Sequence, residues 1–165
     1  MTHSNWIGVI DKTYKKRRSK CIKKIAAILN TLCTENDTNE LLLDSPFFKN
    51  ETINISLFDY LIRLEKYFNC SNTIIIAMLI YIDRIYDTYN IYINKYSAHR
   101  IVVAAYSIAN KYIEDDQYSN KYYAKIAGIT LCEFNLLEEE ILKKLNYELH
   151  IDESLYENYA KNFMM

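Results

Sequence analysis

The sequence predicts an all-α protein, and three observations carry that expectation. Its 165 residues include only 2 Gly and 1 Pro, and turn-rich β sandwiches and barrels need many more residues of fixed or positive φ. Apolar residues recur at helical spacing through most of the chain, with no turn residue inside the longest patterns. Asn, Ser, Thr and Asp stand where helices would start. The β-branched runs Ile74-Ile75-Ile76 and Ile101-Val102-Val103 lie inside apolar patterns too long for single strands. The length suits one domain, which buries about 70% of its unfolded surface.

Residues 1–12 carry little pattern and are expected to be loosely held. From Tyr14 to Cys33, the apolar positions Cys21, Ile22, Ile25, Ala26, Leu29 and Leu32 trace one helical stripe, opposite a basic face that includes Lys15, Lys16, Arg17 and Arg18. Residues 34–54 turn acidic and irregular and contain Pro46, so they read as a loop or linker. Five helices follow. Ile55 to Phe68 has Asn54 as cap and a Leu57, Leu61, Leu64, Phe68 stripe. Asn72 to Tyr89 is apolar almost all round, which marks a central helix. Ser97 to Ile113 has a flat side of Ala104, Ala105 and Ala109. Asn120 to Ala127 is short, capped by Ser119 and closed by Gly128 in the left-handed position. Leu131 to Leu149 opens with a Thr130–Glu133 capping box and carries a Phe134, Leu137, Ile141, Leu145 stripe. A final helix, Glu153 to Phe163, has Asp152 as cap.

Composition excludes several functions. No Gly-rich phosphate loop can be written with two glycines. A net charge of −1 argues against a protein that works mainly by neutralising phosphates, so nucleic acid is not an expected partner. Cys21, Cys33, Cys70 and Cys132 are scattered and form no C-x-x-C pair, which fits buried thiols in a reducing compartment better than a disulfide scaffold. His3, His99 and His150 are too far apart to suggest zinc. The apolar run from Thr73 to Ile82 ends in Asp83-Arg84 and suits a buried helix, not a bilayer span. No apolar run follows a basic start at the N-terminus, so a signal peptide is not expected there. No nucleophile–base pair stands at recognisable spacing, and the expectation is a non-enzyme without cofactor or metal.

The ordered motifs narrow the class. "ISLFDYLIRLEKYF" followed by "MLIYIDRIY" resembles the first two helices of a cyclin box. "SAHRIVVAAYSIANKYIEDD" resembles the third, and "YSNKYYAKIAGITLCEFNLLEEEILKKLNYELHI" the fourth and fifth. The details are similar to the P-type cyclins, the single-box family named for the yeast phosphate-response cyclin. The resemblance implies a five-helix cyclin box with additional N-terminal and short C-terminal helices. The matching division is 1–52 for a basic helix and acidic linker, 53–151 for the box and 152–165 for the last helix.

The family resemblance implies a regulatory subunit that binds a cyclin-dependent protein kinase and activates it by holding the kinase's C helix inward. In the family a Lys late in the third box helix and a Glu in the fifth carry the contact, which here implies Lys111 and Glu138. Lys suits exposed carbonyls at a helix C-terminus, and Glu suits N–H groups or a basic residue on the same element. Without the motif, Lys111 reads as a lysine complementing its own helix dipole and Glu138 as one carboxylate of a solvated face. In many cyclins the Asp of the "DR" motif, here Asp83, pairs with an Arg near the start of the first box helix. Asn54 holds that place here, leaving Arg63 as the substitute in a structural ion pair. The apolar docking patch of cell-cycle cyclins is interrupted by Asn54 and Ser56 and is not carried over. The aspartates of residues 114–120 are read as capping and loop support.

Lys15, Lys16, Arg17 and Arg18 have three readings: a solvated helix face, a nuclear import signal, or a contact to the kinase or a phosphate. The expected location is the nucleus, the cytoplasm or both, without membrane association, and an inhibitor protein is a further partner compatible with the family. Two other readings stand beside the kinase regulator. One is a transcription-factor-like adaptor of cyclin fold; the other is a helical scaffold without a kinase.

Overall fold

The computed structural model describes residues 4–36, 45–68, 71–89 and 91–164, with side chains described from Ser19 onward. Within these residues the fold is all-helical, with α1 (Ser4–Glu35), α2 (Leu57–Phe68), α3 (Asn72–Tyr89), α4 (Ala98–Ile113), α5 (Asn120–Ala127), α6 (Leu131–Lys144) and α7 (Glu153–Met164). Helix α1 begins well before the apolar stripe that predicts it: Ser4 to Asp11, including Gly8, are helical rather than loose. Once a packed segment nucleates a helix, extension adds one hydrogen bond per residue, and no proline stops it here. Residue Cys70 and the acidic stretch 37–44 lie outside the described residues.

The centre is α4, not α3. Every residue from Ala98 to Asn110 is buried, whereas α3 exposes Asp83, Asp87, Thr88 and Tyr89 at its end. Small residues explain the difference. Ala98, Ala104, Ala105, Ser107 and Ala109 let neighbours approach α4 from every side, and α2, α3 and α6 all pack on it. Helix α1 lays Cys21, Ile22, Ile25, Ala26 and Leu29 into the same core, against α2 and α7.

The irregular segment 45–56 is no free linker. Phe47 is buried, Phe48 packs on Tyr96 with ring centroids 5.4 Å apart, and Lys49 pairs with Glu133 at 2.5 Å. Arg100 donates to Glu133 Oε1 at 2.8 Å and to the carbonyls of Glu51 and Tyr96 at 3.3 and 3.0 Å. This strap therefore crosses the N-terminal ends of α4 and α6. Burial alone would raise the Glu133 carboxyl, but hydrogen bonds and charge from Lys49 and Arg100 outweigh it and hold the group below its ordinary value.

Local chemistry sets the helix ends. Ser56, not Asn54, caps α2: its Oγ accepts from the Asp59 N–H at 3.0 Å and donates to the Asp59 carboxylate at 2.6 Å. Ser119 accepts from the Tyr122 N–H, and Gly128 closes α5 at φ 76°. Thr130 accepts from the Glu133 N–H at 3.1 Å, while the Glu133 side chain serves Arg100 and Lys49 instead of completing the box. Helix α6 stops at Lys144, five residues before the apolar pattern ends, because Asn146 and Tyr147 take positive φ of 52° and 58°. The chain that follows is pinned to α3. Tyr81 donates to the Leu149 carbonyl at 2.7 Å, and Arg84 to those of Glu148 and His150 at 3.0 and 2.8 Å. Burial raises the Tyr81 phenol to about 12, which keeps that donor protonated.

Candidate functional site

The last turn of α4 brings Lys111 out of the core. Asn110, one residue before, is buried and accepts from the Tyr123 hydroxyl at 2.5 Å, which fixes α5 beside α4. From this anchored turn the Lys111 ammonium reaches sideways between α5 and α6. It pairs with Glu138 Oε1 and donates to Asn120 Oδ1 at 2.5 Å. It also sits 5.4 Å from the Tyr123 ring centroid and 5.9 Å from that of Phe134, within cation–π range. Those two rings are stacked, 5.5 Å apart and 2° from parallel.

Glu138 is held from both sides. Its second oxygen accepts from the Asn120 amide at 2.8 Å, and the same amide donates to Asn135 Oδ1 at 2.8 Å. Leu131, Asn135 and Glu138 fall on one stripe of α6 by their spacing. Side-chain exposure is 23% for Lys111 and 17% for Glu138, so the pair is partly open to a partner. Gln117 donates to the Lys111 carbonyl at 2.8 Å and closes the loop after α4, while Asp115 and Asp116 are exposed. The loop support that the sequence assigns to the aspartates thus comes from Gln117. The cluster can offer charge and hydrogen bonds but contains no nucleophile set beside a base. Among the described residues, no group of His, Cys, Asp and Glu is arranged to hold a metal, and no helix is long and apolar enough to cross a membrane.

The other sequence candidates separate. Asp83 is exposed and accepts from the Tyr159 hydroxyl of α7; it forms no ion pair with Arg63. Asp83 lies at the exposed end of α3, so the burial argument for an internal cation partner does not apply there. Lys15, Lys16, Arg17 and Arg18 sit on the backbone of α1, and their side chains lie outside the described residues. Cys21 is buried, Cys33 half-buried and Cys132 exposed; Cys132 departs from the buried expectation because it lies in the solvent-facing first turn of α6. Sequence reasoning missed Asn120 and Asn135. Asn120 follows Ser119 and reads as an ordinary helix-start residue, and nothing in chain order links it to Glu138, 18 residues on.

A cyclin family model matches residues 31–149. That is most of the chain and includes α4, α5 and α6 with the whole cluster. The chain belongs to the cyclin family. Cyclin-U4-1 of Arabidopsis thaliana is 30% identical over 147 residues, covering 86% of this cyclin and 73% of the relative. Cyclin-P3-1 of Oryza sativa subsp. japonica is 27% identical over 162 residues, covering 93% and 69%. PHO85 cyclin PHO80 of Saccharomyces cerevisiae is 30% identical over 132 residues, covering 79% of this cyclin and 45% of the yeast protein. These similarities make it a P-type cyclin; α1 shares the core of the five box helices, and α7 packs against that core with half-buried side chains.

Proposed function

We propose that this cyclin binds a cyclin-dependent protein kinase and activates it by holding the kinase's mobile C helix inward, with Lys111 and Glu138 at the contact. Inward placement lets the kinase's own Lys–Glu ion pair form and position ATP. One observation carries the site: two residues 27 apart in sequence, each singled out by its motif, meet in a single partly exposed ion pair. A relative is named as a cyclin of the kinase PHO85, which supports a kinase as the class of partner. Apolar surface around the pair would supply most of the affinity, and the charges the register.

The test is co-purification with a cyclin-dependent kinase followed by an activity assay with and without the cyclin. Lys111→Ala and Glu138→Ala are each expected to keep the helical circular-dichroism signal and to weaken kinase binding at least tenfold. A Lys111→Ala/Glu138→Ala double variant that activates the kinase normally would remove both residues from the contact. Nuclear import through Lys15–Arg18 is a separate proposal, tested by a reporter carrying residues 1–35; its exclusion from nuclei argues against the signal. An inhibitor of the pair is sought in the same co-purification.

A further inference from the structure

Lys111 and Glu138 are long side chains on different helices, and two flexible chains in a simple ion pair sample many rotamers. Here the pair is restrained by a third residue. The Asn120 amide uses both of its ends: Oδ1 accepts from Lys111 at 2.5 Å, and Nδ2 donates to Glu138 Oε2 at 2.8 Å and to Asn135 Oδ1 at 2.8 Å. Lys111 meets the other oxygen, Oε1. The carboxylate is therefore gripped at each oxygen by a different donor, which sets the orientation of its plane. The ammonium is held between Oε1, Oδ1 and the stacked rings of Tyr123 and Phe134.

We propose that Asn120 is a positioning residue for the partner contact: it locks Lys111 and Glu138 into one preorganised unit without having to touch the partner. This rests on the reading of Lys111 and Glu138 as the kinase contact and deepens it. A pair already fixed loses little freedom when a partner docks, so preorganisation appears as affinity. Only an amide meets the demand. Asp at this position keeps an acceptor for Lys111 but sets a second carboxylate against Glu138, where a donor is required. Ala removes all three bonds.

The position of Asn120 makes the test sharp. It is the first residue of α5, where an acidic side chain is favoured by the helix dipole. A residue that served only the helix would tolerate Asp well. The expected result for Asn120→Asp is therefore a kept helical circular-dichroism signal with kinase binding weakened tenfold or more. Asn120→Ala should weaken binding several-fold, and should cost less in a Glu138→Ala background, where of its bonds to the pair only that to Lys111 is left to lose.

A second readout needs no kinase. Proton exchange of the Lys111 ammonium, followed by nitrogen-15 NMR on the free cyclin, should speed up at least tenfold in Asn120→Ala and Asn120→Asp. Exchange unchanged in Asn120→Ala, or Asn120→Asp binding as tightly as wild type, would overturn the proposal. If exchange responds to Asn120 but Lys111→Ala binds a kinase normally, the hold of Asn120 on the pair stands and the kinase-contact reading of that pair falls.

Discussion

His99 lies beneath the strap with Nε2 2.7 Å from the Ile55 carbonyl oxygen, while its Nδ1 is buried without a hydrogen-bond partner among the described residues. A carbonyl only accepts, so Nε2 carries the proton and Nδ1 is bare in the neutral ring. Protonation would bury an N–H with nothing to receive it. Burial accordingly pushes the imidazole below its ordinary value of 6.5; the Ile55 bond works against that and Arg100 adds to it. The sign of the pH effect follows. A folded pKa below the unfolded one gives stability that is complete above about 6.5 and declines as pH falls toward the folded value. The thermal midpoint should drop between pH 7.5 and 5.5, and His99→Gln should flatten that drop. An equal drop in both proteins would show that His99 is not the responsible group. At this scale the ordered motifs single out Lys111 and Glu138, and the structure brings the two together in one ion pair. Asn120 was hidden because its partners come from two other helices. Asp83 was paired with the wrong residue because its partner, Tyr159, belongs to a helix outside the box motifs.

Helix starts and stops follow side chains that can be tested one at a time. Ser56 both accepts from the Asp59 N–H and donates to its carboxylate, so Ser56→Ala should cost about 1 kcal/mol in thermal or urea unfolding. Asn54→Ala should cost nothing measurable, and the reverse ranking would restore Asn54 as the cap. At Gly128 a Cβ would meet no atom within 4 Å, so the penalty of Gly128→Ala comes from its φ of 76° alone and should be about 1 kcal/mol. The elements were legible where periodicity and caps agree, as in α3 and α5, whose predicted bounds match the structure. The end of α6 was not. Tyr147 and Leu149 continue an apolar pattern, but the helix yields because Tyr81 and Arg84 claim the carbonyls of residues 148–150. No local signal carries that demand from 64 or more residues away.

Across the whole molecule, α1 and the strap share the core of the five box helices, and composition alone had marked them only as a basic helix and a linker. Their charged residues dominate the count, while a few side chains do the packing. Ile25 is fully buried, so Ile25→Ala should cost about 2–5 kcal/mol. Ile28, one turn-step away and 46% exposed, should cost less than about 0.5 kcal/mol on the same change. Equal losses at the two positions in chemical denaturation would contradict the packing of α1. The seat of α1 against α7 has a further consequence in time. Lys24 donates to the Asn162 carbonyl across 138 residues of chain, so one flank of the first helix meets its partner only after α2 to α6 have been synthesised. At about 5–20 residues per second, that delay is on the order of ten seconds. During translation α1 can rest on α2, and the face destined for α7 stays uncovered until α7 itself has emerged.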